Sequence, residues 1–154
     1  MSDWPEILRR ACVSGTLASV TSSIALAVVA RLEGKGGLQP VNATSHWLNG
    51  ERAASVQRAD LVHTGVGFAT HTAATLFWAV LFERWIVRRR SLAVLPALQD
   101  AMVMSVVAAA ADYIATPKRF TPGWEFVLSK RAMAAVYAAM ALGLAGGAVL
   151  ARHE

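Results

Sequence analysis

Four long apolar stretches alternate along this chain with short charged or turn-forming ones. They cover approximately residues 11–30, 61–82, 95–115 and 131–150. About 20 mostly apolar residues suffice for a helix to cross the hydrocarbon core of a bilayer. The pattern therefore predicts four transmembrane helices in one all-α membrane domain, 1–154, with an extramembrane loop over 32–60. Arg10 and Arg31 bound the first stretch, and Glu83, Arg84 and Arg88–Arg90 close the second. Pro96 suits the first turn of the third helix, where a missing N–H costs nothing. Thr116-Pro117 ends that helix, because the residue before proline is pushed out of helical geometry.

Small residues recur at steps of four in two of the stretches. Ala11, Gly15, Ser19 and Ser23 form one ridge, and Ala135, Ala139, Gly143 and Gly147 another. Such ridges let helix backbones approach closely in lipid, so the first span is expected inside the bundle. In the long loop, Gly34, Gly36, Gly37 and Pro40 oppose regular structure. Residues 51–57 can then form a short surface helix, and Asn42-Ala-Thr44 matches a glycosylation sequon. Residues 118–129 read as a second loop, with a turn at Pro122-Gly123. All five tryptophans (Trp4, Trp47, Trp78, Trp85 and Trp124) fall at or near span ends, the distribution expected of interfacial anchors.

The second stretch is unusual. Asp60–Trp85 carries two histidines and four threonines on a length of chain apolar enough to span. At about 100° per residue, Asp60, His63, Thr64, Gly67, Thr70, His71, Thr75 and Trp78 share one face. The opposite side is apolar, with Thr72 the exception. Unpaired polar groups in lipid cost several kcal/mol. The polar face is therefore expected to meet the bundle interior or a partner subunit.

Composition agrees with a membrane setting. Hydrophobic residues make up 55% of the chain and charged residues only 16%, well under the usual quarter. The formal net charge is +5, but the arginines sit beside apolar segments, as on membrane flanks, which excludes a nucleic-acid interface. Cys12 lies alone in an apolar run and offers neither a disulfide nor a metal cluster. The first stretch is broken by Ser14, Thr16, Ser19, Thr21, Ser22 and Ser23, so it reads as a retained span rather than an export signal. Basic residues are nearly balanced between the two sides. The dense Arg84–Arg90 connection favours both termini in the cytoplasm.

Two layers of candidate chemistry follow from depth. In an antiparallel bundle the start of span two, the end of span three and the start of span four share one membrane side. His63, Asp112, Tyr113 and Arg131 then form a shallow layer, joined by Asp60 and Lys130 and by His46 and Glu125 from the loops. Ionisable groups in a membrane are functional candidates with a partner expected, and Asp112 with Arg131 or with His63 is the expected pair. The plainer reading of such a pair is a structural lock between helices three and four. Deeper in, His71 falls level with Met104 and Met140, a ligand set for copper(I) or a haem iron. Methionine is also a general filler of cores, and a bis-histidine haem lacks a second helix with histidine. Asp100, near Glu83 and Arg84, completes a staircase with His63 and His71 that would suit proton movement. No GxSxG, HExxH or P-loop pattern occurs, so hydrolytic chemistry has no motif to stand on.

The runs NATSHWLNG, HTGVGFATHTAATLFWAVLFE and TPKRFTPGWE resemble uncharacterised small bacterial four-span inner-membrane proteins. That resemblance implies a location and no residue roles. Two function classes remain. One is a non-catalytic membrane component, needing no cofactor, whose polar face meets a homo-oligomer or membrane-protein partner. The other is a bundle handling protons, ions or a metal through His63, His71 and Asp112.

Overall fold

The computed structural model describes residues 4–87 and 93–152. The Arg88–Arg90 cluster expected to flank the second span lies outside them. Four helices are long and apolar enough to cross a membrane: Trp4–Leu32, Leu61–Ile86, Val94–Ala115 and Lys130–Leu150. The described residues form no strand. The protein is an all-α, multi-pass membrane protein built as a four-helix bundle.

The first helix, α1 (Trp4–Leu32), starts about two turns before the apolar stretch, with Pro5 and Glu6 in its first turn, where proline is tolerated and an acidic group complements the helix dipole. Gly34 at φ +74° turns the chain away after it. Two short helices follow, α2 (Gln39–Ala43) and α3 (His46–Asn49), and then a 3-10 turn over Glu51–Ser55 where a surface helix was expected. The second span opens with a π turn, Leu61–Gly65, and continues as α4 (Val66–Ile86). The third, α5 (Val94–Ala110), ends in a second π turn, Ala111–Ala115, as Thr116-Pro117 dictates. The fourth is α6 (Lys130–Leu150), and Ser129 caps it by accepting from the Ala132 N–H at 3.2 Å.

Helix α1 lies between α4 and α6, while α5 packs along α6 and meets α4 only slightly. The small residues explain this order. A methyl group added at Gly15 would stand 2.8 Å from Leu76 Cδ2 and 3.0 Å from Ala79 Cβ, so the ridge through Gly15 serves α4. A neighbouring row serves α6. Thr21 Oγ1 donates across to the Ala139 carbonyl at 2.9 Å, and a methyl group at Gly147 would stand 2.3 Å from Ser14 Cα. Glu33, just past α1, also binds α6. Its Oε2 accepts from the Ser129 N–H at 3.0 Å, and the Ser129 hydroxyl donates to Oε1. The hydroxyl first, then the backbone N–H, holds this carboxyl below the usual carboxylate range. Val20, Ile24, Val28, Val106 and Leu142 are exposed on the outer surface, as lipid contact requires.

The loops at one end fold inward onto the bundle. At Gly67 an added Cβ would fall 1.9 Å from the Val41 carbonyl oxygen, so α2 lies directly on α4. Gly123 has φ +80°, and a Cβ there would stand 2.5 Å from the Ala43 carbonyl oxygen. Both contacts require glycine. Asn42 is fully buried. Its amide donates to the Val56 and Arg58 carbonyls at 2.8 and 3.1 Å, and its oxygen accepts from Thr64 at 2.6 Å. The Asn42-Ala-Thr44 sequon is thus a structural clamp and not an exposed glycosylation acceptor.

Candidate functional site

The space left between α4 and the α5–α6 pair is a cavity of about 320 Å³. Helix α4 gives it Thr70, His71, Ala74, Thr75 and Trp78, and α6 gives Tyr137 and Met140. Asp112 enters from the π turn that ends α5, and Thr44, Trp47, Phe120, Thr121, Pro122 and Trp124 line it from the loops. Four of the eight residues on the polar face predicted from the sequence, Thr70, His71, Thr75 and Trp78, therefore face this space.

The tryptophans are held by their N–H groups. Trp124 Nε1 donates to Thr44 Oγ1 at 3.1 Å, and Trp47 Nε1 donates to Thr70 Oγ1 at 3.2 Å. Each indole thus spends its donor on a threonine of the cavity wall. Trp124 is only 4% exposed, and Trp78 lines the cavity. Trp124 is thus buried inside the protein and not exposed as an interfacial anchor, whereas Trp4 and Trp85 are exposed at span ends. The Trp124 ring stands 5.7 Å from the His71 ring and 5.6 Å from that of Tyr137.

His71 is buried against α1. Its Nε2 lies 2.9 Å from Ser22 Oγ, and that hydroxyl lies 2.5 Å from the Ala18 carbonyl. A hydroxyl has one proton. With that proton given to Ala18, the His71 Nε2–H donates to Ser22, and Nδ1 carries the lone pair of the neutral ring. Thr72, the exception on the apolar side, is explained by the same neighbour: its hydroxyl is 2.9 Å from that of Ser19. Met140 shares the cavity with His71, whereas Met104 is buried in the core and does not line it.

The shallow layer divides differently from the expectation. Asp112 Oδ2 accepts from the Tyr137 hydroxyl at 2.6 Å, so its partner is a phenol rather than Arg131 or His63. Arg131 is exposed at the start of α6. His63 belongs to Asp60, which caps the π turn by accepting from the His63 N–H at 2.6 Å, with His63 Nδ1 at 3.0 Å. The backbone N–H of His63 first, then its side chain, holds the Asp60 carboxyl below its ordinary range. Asp100 is half-buried in the early turns of α5 and does not line the cavity. The staircase through His63, His71 and Asp100 is therefore not one connected site. His46 instead pins the loops, with Nδ1 3.0 Å from the Ala43 carbonyl oxygen and Nε2 3.2 Å from that of Lys118.

Sequence reasoning missed the role of Phe120, Trp124 and Tyr137. Two of these lie in the aromatic run TPKRFTPGWE, which signals a loop with more apolar surface than a solvated loop needs. It also missed a buried ion pair at the other end of the bundle, Glu83 with Arg152, at 3.5 Å. Among the described residues no group of three His, Cys, Asp or Glu is placed to hold a metal. The cavity itself offers an aromatic wall, one carboxylate and one imidazole, with no serine or cysteine nucleophile on its lining. Compared with known proteins, the chain matches no family model, no curated protein and no solved structure.

Proposed function

We propose that this protein is a non-catalytic component of a bacterial inner membrane, with both termini cytoplasmic, that binds a small amphipathic molecule between α4 and the α5–α6 pair. The observation that carries this reading is the partly open cavity of about 320 Å³ faced by the polar side of α4. Its volume lies at the lower end of the range for small-molecule sites, and its mix of aromatic walls and few polar groups is typical of them. The polar face, which would otherwise call for a partner subunit, has an occupant's space in front of it. A homo-oligomer or membrane-protein partner would then bind the outer surface, with lipid around the rest.

Ala74 lines the cavity and is exposed, so Ala74→Phe would fill the space without disturbing a packed position. Protein purified in mild detergent is expected to carry a small molecule visible by native mass spectrometry, or to gain thermal stability from amphipathic compounds. A ligand at about 100 times its Kd adds about 2.7 kcal/mol, and Ala74→Phe should abolish the gain with its circular dichroism unchanged. A wild-type protein that neither carries nor responds to any such compound overturns the proposal.

A second reading, copper or haem held by His71, draws support from His71 and Met140 sharing the cavity. It requires Nδ1 as the ligand, since Nε2 is engaged by Ser22. Metal analysis and an absorption spectrum of the same preparation test it.

A further inference from the structure

We propose that the cavity's ligand is an organic cation, a quaternary or protonated amine with an apolar body. This deepens the binding reading above and rests on it.

The lining includes Trp47, Trp78, Trp124, Phe120 and Tyr137, and its single formal charge is Asp112, with no lysine or arginine. The hydrogen bonds of Trp47 and Trp124 turn their N–H groups into the wall. Trp47 and Trp78, both half-buried on the lining, supply ring surface, and an aromatic ring attracts a cation within about 6 Å of its centre. Trp124, Tyr137 and Asp112 form a continuous surface: the two rings are 5.6 Å apart, and the Tyr137 hydroxyl donates to the carboxylate at 2.6 Å. Aromatic face and negative charge thus adjoin in a site with few other polar groups. The remaining hydroxyls are occupied. Thr70 donates to the Val66 carbonyl, Thr75 to that of Thr72, Thr44 to that of Pro40, and Thr121 bonds Glu125 and the Lys118 carbonyl. A neutral polar ligand would find few unspent partners, whereas a cation needs only charge and ring surface. Outside the cavity, the guanidinium of Arg119 already lies 6.0 Å from the Phe120 ring centre.

The test compares benzyltrimethylammonium with neopentylbenzene, its neutral isostere, by tryptophan fluorescence of the full chain in non-ionic micelles. The cation is expected to bind about ten-fold or more tightly than the isostere. Asp112→Asn, which keeps an acceptor for Tyr137, should remove most of that preference while leaving isostere binding within about two-fold. Should that variant lose its helical circular dichroism, Ala74→Lys against Ala74→Met asks the same question: a fixed ammonium should expel the cation, and methionine should not. Phosphatidylcholine added to the micelles distinguishes sources. Competition assigns the cation to a lipid headgroup, and its absence assigns it to a free amine. Equal binding of cation and isostere overturns the cation assignment and leaves the pocket standing. No response to either compound from folded protein overturns both.

Discussion

His71 is the residue whose setting most needs explaining, because an imidazole in the middle of an apolar span must satisfy its polar atoms inside the protein. On the α1 side its Nε2 meets the Ser22 hydroxyl at 2.9 Å, with the Ser19 backbone beside the same ring. The sequence singled out His71 but not its partner. Ser22 was legible only as one of several serines that lower the apolarity of the first span, since the pairing depends on how α1 and α4 rotate against each other. The pair makes a definite energetic prediction. Ser22→Ala removes this interhelical hydrogen bond and should destabilise the protein by about 1–2 kcal/mol, the upper part of the range for hydrogen bonds between membrane helices. Ser22→Ala combined with His71→Leu removes both polar groups and should cost less than the sum of the two single changes. Unfolding of the four proteins in mixed micelles measures this cycle. Strict additivity would mean that the hydrogen bond contributes nothing.

At the scale of elements, helix positions and ends were largely legible, because hydrophobic length, proline and charge fix where a span starts and stops. What each face would touch was less so. The two small-residue ridges were visible by spacing, but spacing does not name a partner. The α1 ridge serves α4, and an adjoining row with Ser14, Ala18 and Thr21 serves α6. The ridge on α6 is also uneven, since Gly147 touches α1 backbone while Ala135 is exposed. Trp124 misled for a physical reason: a membrane interface and a cavity near a span end both select a ring with an apolar body and one polar atom. Neighbouring glycines on α6 separate contact from mere smallness. A methyl group at Gly147 would stand 2.3 Å from Ser14 Cα, whereas at Gly146 the nearest atom, Leu17 Cδ2, is 3.9 Å away. Gly147→Ala should therefore cost about 1–3 kcal/mol through overpacking. Gly146→Ala should be neutral, or stabilising by up to about 1 kcal/mol through helix propensity. Thermal midpoints of the two variants, measured side by side, check the difference in sign.

Across the whole molecule, one stripe on α4 connects the two ends of the bundle. Gly67, His71, Thr75, Ala79 and Glu83 recur at steps of four and are all buried. At one end the stripe meets the inward-folded loops, in its upper part the cavity, and at the far end the ion pair of Glu83 with Arg152. The loops and the cavity could not be read from the sequence, because they depend on contacts such as Gly67 with Val41 and Gly123 with Ala43, between residues far apart in the chain or in different loops. Glu83 could have been. It lies three four-residue steps after His71, so a helix that buries one turns the other inward, although a carboxylate beside Arg84 reads naturally as a solvated span end. Glu83 is 1% exposed, and its Oε2 lies 3.5 Å from Arg152 Nη1. Arg152 also donates to the Ala148 and Ile86 carbonyls at 2.8 and 3.3 Å, tying the end of α6 to the end of α4. Desolvating two charges offsets much of their attraction, so such a pair adds little net stability, yet removing one partner leaves the other buried and uncompensated. Arg10 and the Ser14 hydroxyl also act on Glu83, so Arg152→Leu alone should destabilise the protein by about 3 kcal/mol, the lower end for a broken buried pair. Arg152→Leu with Glu83→Leu should recover most of that loss, although the two carbonyls stay without their donor. Chemical unfolding of the single and double variants decides the matter, and a double variant as unstable as Arg152→Leu would show that the carbonyl contacts, not the charge pair, hold this end of the bundle.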